Sequence, residues 1–206
     1  MNMPNRQTHW ENIYTTKRED EVSWFQERPA ISLELIKSVG ATLHTSIIDV
    51  GGGESRLVDA LLQDGFQDVT VLDISGAALA AAKARLGGKA AKATWIVSDV
   101  TAWQPSRHYE LWHDRAAFHF LTDPADQAAY VKRLAEALAP GGHAIIGTFA
   151  VDGPERCSGL PIVRYDAESL AGVLGDPFTW LETRRHEHRT PSGAVQKFQF
   201  SVFRRR

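Results

Sequence analysis

A disulfide framework is excluded at the outset, because the 206-residue chain holds a single cysteine, Cys157. A lone thiol fits a reducing compartment, and a cytoplasmic location is expected. No uninterrupted apolar run approaches about 18 residues, which argues against a membrane span. The first residues are polar and lack the apolar stretch of a secretory leader. Neither sign of charge is in excess: 23 Lys and Arg face 25 Asp and Glu, a net charge of −2. That balance gives no general basic field, so a nucleic-acid partner is disfavoured. Arg204-Arg205-Arg206 reads as a solvated end, and repeats and low-complexity tracts are missing. What is present is an ordinary apolar share of 43%, enough for the core of one domain over residues 1–206.

The chain is organised around Thr45 to Val58. Ile47, Ile48 and Val50 form a short, β-branched apolar run that suits a strand covered on both faces. Gly51, Gly52 and Gly53 end it, and glycine lets the backbone approach a ligand closely. From Glu54 onward Leu57, Val58, Leu61 and Leu62 recur at helical spacing, so a helix is expected to open there. A strand, a glycine turn and a helix at the start of an α/β sheet form a nucleotide-binding unit. A dinucleotide fingerprint wants a third glycine where Arg56 stands, and no lysine is present to neutralise a pyrophosphate. Asp49 and Glu54 suit a cationic ligand instead, one bearing an ammonium and a sulfonium. That points to S-adenosylmethionine (SAM), with a NAD-dependent oxidoreductase as the rival.

Two further strands close on acids. Gln67 to Ser75 reads as a buried strand closing on Asp73, which lies 22 positions after Gly51, near the spacing at which a carboxylate meets ribose hydroxyls. Ser75 or Asp73 could equally cap the Ala-rich helix that follows. Thr94 to Val100 ends at Asp99, placed to accept from an adenine amine, with Val100 adding a backbone amide. Three strands in a row ending at Asp49, Asp73 and Asp99 put three carboxylates on one edge.

These runs, Asp49-Val50-Gly51-Gly52-Gly53, Val71-Leu72-Asp73-Ile74-Ser75 and Ser98-Asp99-Val100, followed by Leu138-Ala139-Pro140-Gly141-Gly142-His143, resemble the class I SAM-dependent methyltransferases. The resemblance covers roughly residues 30–150 clearly. It implies an α/β fold: a three-layer Rossmann-like sandwich with a mostly parallel seven-stranded sheet and an antiparallel last strand. It implies a glycine loop at Gly51 and Gly53 around the methionine part, Asp73 on the ribose and Asp99 near adenine; with their neighbours, the candidate cofactor site is Asp49, Gly51, Gly52, Gly53, Asp73, Ile74, Ser75, Asp99, Val100 and Asp114. It also argues against methylation of base amino groups, because His113-Asp114-Arg115-Ala116 lacks that group's proline pair.

Tyr109 to Arg115 reads as the fourth strand, whose end faces the switch point of the sheet. His113, Asp114 and His119 are the candidate catalytic residues there, since an acceptor can need its proton removed near neutral pH. Packing of His113 inside the strand is the competing reading. Residues 1–28 hold Trp10, Tyr14, Trp24 and Phe25 among charges and read as a cap over a pocket, serving the substrate. Pro29 opens a helix that ends near Gly40. Pro124–Ala139 and Asp166–Leu174 are expected helices, and 152–161 a polar loop. Two last strands, over 178–188 and 194–203, flank a turn at Thr190-Pro191-Ser192-Gly193. His186 and His188 share one strand face, read as solvent-facing rather than as a metal pair. No metal is expected. The acceptor reads as a small molecule, with a protein lysine as the alternative.

Overall fold

The computed structural model describes residues 6–206. Its centre is β1, Ile47–Val50, four residues buried on both faces. Successive strand side chains alternate sides, so Ile48 and Val50 enter one core and Ile47 the other. β1 pairs in parallel with β2 (Val69–Asp73) on one side and β4 (Tyr109–Arg115) on the other. With β3 (Ala93–Val97), β5 (Leu138–Phe149), β8 (Phe178–Arg189) and β9 (Val195–Arg205), the order is β3-β2-β1-β4-β5-β9-β8. The chain therefore reverses direction across the sheet between β1 and β4. β9 runs antiparallel to both of its neighbours. This is the expected seven-stranded, mostly parallel sheet.

Helices cover both faces. α2 (Ala30–Ser38) and α3 (Leu57–Gln63) pack on one core with Leu35, Ile36, Leu57 and Leu61. α5 (Pro124–Ala137) and α6 (Ala167–Leu174) close the other around Trp112, Phe118 and Tyr130. α4 is Gly76–Leu86, capped by Ser75, whose side chain accepts from Ala78 N. Asp123 and Asp166 cap α5 and α6 as their sequence predicts.

Several boundaries move. α3 starts at Leu57 rather than Glu54, because residues 51–56 remain a loop. Pro29 is the N-cap of α2. Inside the expected loop 152–161, β6 (Arg156–Cys157) and β7 (Leu160–Pro161) form a small hairpin. His188 is a correction: it is buried at 4% exposure beside the Phe198 ring, and its Nε2 meets the Ser23 carbonyl at 2.8 Å. The N-terminal segment thus covers the strand face expected to meet solvent. That segment holds α1 (Arg6–Thr16), a helix with no fully buried residue.

Candidate functional site

Parallel strands present their carboxyl ends to one edge of the sheet, and at the β1–β4 switch point a cavity opens there. Its wall includes Val50, Gly51, Leu72, Asp73, Ile74, Ser98, Asp99, Val100, Arg115, Ala116 and Ala117 from the sheet edge, with Phe120, Leu121 and Cys157 beside them. Arg6, Trp10, Tyr14 and Trp24 close it from the N-terminal segment.

The glycine loop is shaped by contacts that no side chain tolerates. Gly51 and Gly53 have φ of 66° and 49°, in the left-handed region. A Cβ on Gly51 would run into that of Ala117. One on Gly53 would lie 2.6 Å from the Tyr14 hydroxyl and 3.2 Å from Asp73 Oδ2. Gly52 turns the other way, toward Val71 and the Asp49 carboxylate. Arg85 of α4 fastens the loop from behind, donating to the Glu54 and Ser55 carbonyls while pairing with Asp59 and Glu19.

Asp73, at the end of β2, accepts from Ser75 N at 2.8 Å. Burial pushes its carboxyl up to about 7, against the pull of backbone donors. Asp99 lies two residues beyond β3. Its Oδ1 accepts from Thr101 N and Oγ1, and its Oδ2 pairs with Arg6 at 3.1 Å. Tyr14 lies in the aromatic group of Trp10, Trp24 and Phe120, whose ring centroids are 4.9–6.3 Å apart. Burial and the Asp73 and Glu54 charges hold its phenol well above the usual range. Glu11 anchors the same helix by accepting from Ser75 Oγ, Gly76 N and Ala77 N at the start of α4.

Of the cofactor and catalytic residues expected from the sequence, the fold brings Gly51, Asp73, Ile74, Asp99 and Val100 onto this wall and leaves the others off it, while Trp10, Tyr14 and Trp24 of the expected cap line it as well. The expectation for His113, Asp114 and His119 is corrected by strand parity and burial. His113 faces α2: its Nδ1 meets Asp49 Oδ1 at 2.7 Å and its Nε2 meets Ser32 Oγ at 2.9 Å. Asp49 is accordingly spent inside the core rather than offered at the strand tip. Asp114 points to the other core, accepting from the Tyr130 hydroxyl at 2.7 Å and from Ala117 N and Phe118 N. Burial lifts its carboxyl to about 6, and its bonds hold the turn at Ala116, whose φ of 68° is strained for a residue with a Cβ. His119 lies between the Phe120 and Phe149 rings, and its Nδ1 accepts from Phe149 N. Burial drives its imidazole down to about 3, so it is neutral and poorly basic. Ser75 is occupied as the α4 cap.

Arg115 is the residue whose part the sequence left unread. It ends β4 on the cavity wall, and its Nη2 donates to the Trp24 carbonyl at 2.7 Å. Its Nη1 is shielded from solvent and has no partner. Cys157 also faces the cavity, with burial raising its thiol to about 11, so it stays protonated at neutral pH. Arg6, Glu11 and the contact of Tyr14 with the loop were also missed. The Trp10–Tyr14 spacing of four was the available signal, since it puts both rings on one helix face. Among the described residues, no group of three or more His, Cys, Asp and Glu is placed to hold a metal.

Residues 47–142 match the family of methyltransferase domains. The chain is 30% identical over 184 residues to a trans-aconitate 2-methyltransferase of Rhizobium leguminosarum bv. trifolii (strain WSM2304), covering 89% of this chain and 65% of that one. It is 32% identical over 122 residues to nodulation protein S of Rhizobium tropici, covering 59% of this chain and 50% of that protein. The chain thus spans half to just under two thirds of the length of these relatives. Among solved structures, the N-methyltransferase NodS of Bradyrhizobium japonicum WM9, in complex with S-adenosyl-L-homocysteine (SAH), superposes with a TM-score of 0.74 at 16% identity, over 98% of this chain and 99% of that one.

Proposed function

We propose, for a chain that belongs to the class I Rossmann-like SAM-dependent methyltransferases, that it transfers a methyl group from SAM to a small-molecule acceptor. One observation carries the reading: Gly51, Asp73, Ile74, Asp99 and Val100, from the ends of three strands, meet on one aromatic-roofed cavity. Their chemistry fits the cofactor. Gly51 and Gly53 keep the loop low enough for close approach. Asp73 is a carboxylate acceptor for paired ribose hydroxyls, and Asp99 an acceptor for the adenine amine, flanked by Val100 and Ile74. The bound cofactor supplies an electrophilic methyl carbon on a sulfonium.

The chain's own part is to orient and to exclude water. Trp10, Tyr14, Trp24 and Phe120 supply the dry roof. His113, Asp114 and His119 all lie away from the cavity wall, so we read no side-chain base among them. Alignment of an acceptor that is already nucleophilic then carries the rate, an effect that reaches roughly 7–11 kcal/mol. Enclosure by α1 and Trp24 favours a small acceptor over a protein lysine. One similar protein, a trans-aconitate 2-methyltransferase, supports a small acceptor. We read the chain as one domain, and its location as cytoplasmic from its lone cysteine; among the described residues no helix is long and apolar enough to cross a membrane.

Calorimetric titration tests the reading. SAH is expected to bind and NADH to give no heat; the reverse outcome would assign the cavity to a dinucleotide. Turnover is then sought by following methyl transfer from SAM across a panel of small amines, carboxylates and thiols.

A further inference from the structure

Cations buried in proteins are paired, because an unpaired charge taken from water is costly. Arg115 breaks this pattern at a telling place. It makes one hydrogen bond, to a neutral carbonyl, and no ion pair with any described carboxylate. Its Nη1 is cut off from solvent with its hydrogen-bonding capacity unused. The nearby acid, Asp49, is already engaged by His113. Its neighbours on the cavity wall, the Cys157 thiol, the Tyr14 phenol and the Trp24 ring, are neutral. Glu19 and Glu54 line a smaller pocket on its other side, where Glu19 pairs with Arg56 and Arg85 and neither acid forms an ion pair with Arg115. The two acids of the wall, Asp73 at the end of β2 and Asp99 just past β3, belong to the other side of the sheet edge, and Asp99 has its own cation in Arg6. The cavity is therefore polarised, with acids toward β2 and β3 and one uncompensated guanidinium at the end of β4.

We propose that Arg115 is the carboxylate-binding residue of this cavity. Trp24 fixes the plane of the guanidinium through Nη2, and the remaining N–H donors form the fork that matches a carboxylate. Two ligands of the methyltransferase reading, on which the inference rests, carry that group: the methionine moiety of the cofactor, and an acidic acceptor. The site chemistry is the same for both, and titration separates them.

Calorimetry is run with SAH on wild type, Arg115→Lys and Arg115→Gln, and with decarboxylated SAH on wild type. Fumarate and benzoate are then titrated into SAH-saturated protein. If the cofactor supplies the carboxylate, Arg115→Gln weakens SAH by 10-fold or more. Arg115→Lys falls between, and removing the carboxylate from SAH costs wild type a similar factor. A purely structural role for Arg115 would not reproduce that last result. If the acceptor supplies it, SAH binds all variants equally, while fumarate or benzoate binds wild type and not Arg115→Gln. Unchanged SAH affinity together with no Arg115-dependent binding of either acid overturns the proposal. Circular dichroism monitors folding. Should Arg115→Gln unfold, Arg115→Lys and the pair of SAH analogues on wild type decide in its place. Failure of wild type to bind SAH at all would sink the methyltransferase reading; fumarate and benzoate on ligand-free protein would then test Arg115 alone.

Discussion

At the residue scale the site turns on two buried carboxylates with opposite duties. Asp73 faces the cavity and is free to accept from a ligand, so Asp73→Ala is expected to weaken SAH by about 10-fold or more, the loss of one or two charged hydrogen bonds. Unchanged calorimetric affinity would remove Asp73 from the ribose. The same carboxyl titrates near 7, above its ordinary 3.8. A raised carboxyl stabilises the folded chain when protonated. That contribution is whole below about pH 4 and is lost as pH rises through 7. Ligand-free protein should accordingly melt higher at pH 6 than at pH 8, with a smaller difference in Asp73→Asn. Ligand binding wants the charged form, so SAH affinity should fall by about 5-fold between pH 7 and pH 6, as the charged fraction drops from about a half to about a tenth. Asp49 has the other duty. Removing its partner with His113→Leu leaves the Asp49 carboxyl without its hydrogen bond in the core, and we expect a loss of about 1–3 kcal/mol in urea unfolding. A loss below about 1 kcal/mol would show that the pair contributes little.

At the element scale, α1 is the part that sequence reasoning served least. Its residues show no apolar stripe, and its place comes from distant partners: Glu11 on the start of α4 and Arg6 on Asp99. Such contacts span more than 60 positions and leave no local periodicity. The segment expected to serve as a substrate cap also reaches the proposed cofactor wall, since Tyr14 rests on Gly53 and Arg6 on the proposed adenine acid. Deleting 1–28 should impair SAH binding as well as turnover. A more delicate test is Glu11→Gln, which weakens the hold on α4 without emptying the roof. Amide exchange over 6–16 should speed several-fold while β1–β4 stays protected. Equal exchange in both proteins would argue against this anchor. β1, its glycine turn and the strand-end acids at 73 and 99 were legible, because burial and nucleotide chemistry both act locally there. Asp49 and His113 were not. Parity alone sets Asp49 on the Ile47 face, but its partner stands 64 residues away.

At the scale of the whole molecule, the cavity is partly roofed by a segment that precedes every strand, so ligand binding and ordering of the N-terminal region are linked. SAH at 100 times its dissociation constant should stabilise the fold by about 2.7 kcal/mol. A thermal melt reads this directly, and limited proteolysis should show the same ligand protecting 6–28. The seven-stranded, mostly parallel sheet followed from the family resemblance, and the switch point expected at the end of the fourth strand is where the cavity opens. The Arg6–Asp99 pair has one more consequence. A guest that seeks the Oδ2 oxygen of Asp99 meets a rival tethered to the same polypeptide, so its measured dissociation constant is the intrinsic one divided by the fraction of molecules in which Arg6 has let go. Electrolyte weakens that rival, because the pair is partly exposed and a solvent-facing ion pair loses strength at high salt. The protein therefore carries its own competitive inhibitor, and added salt relieves it.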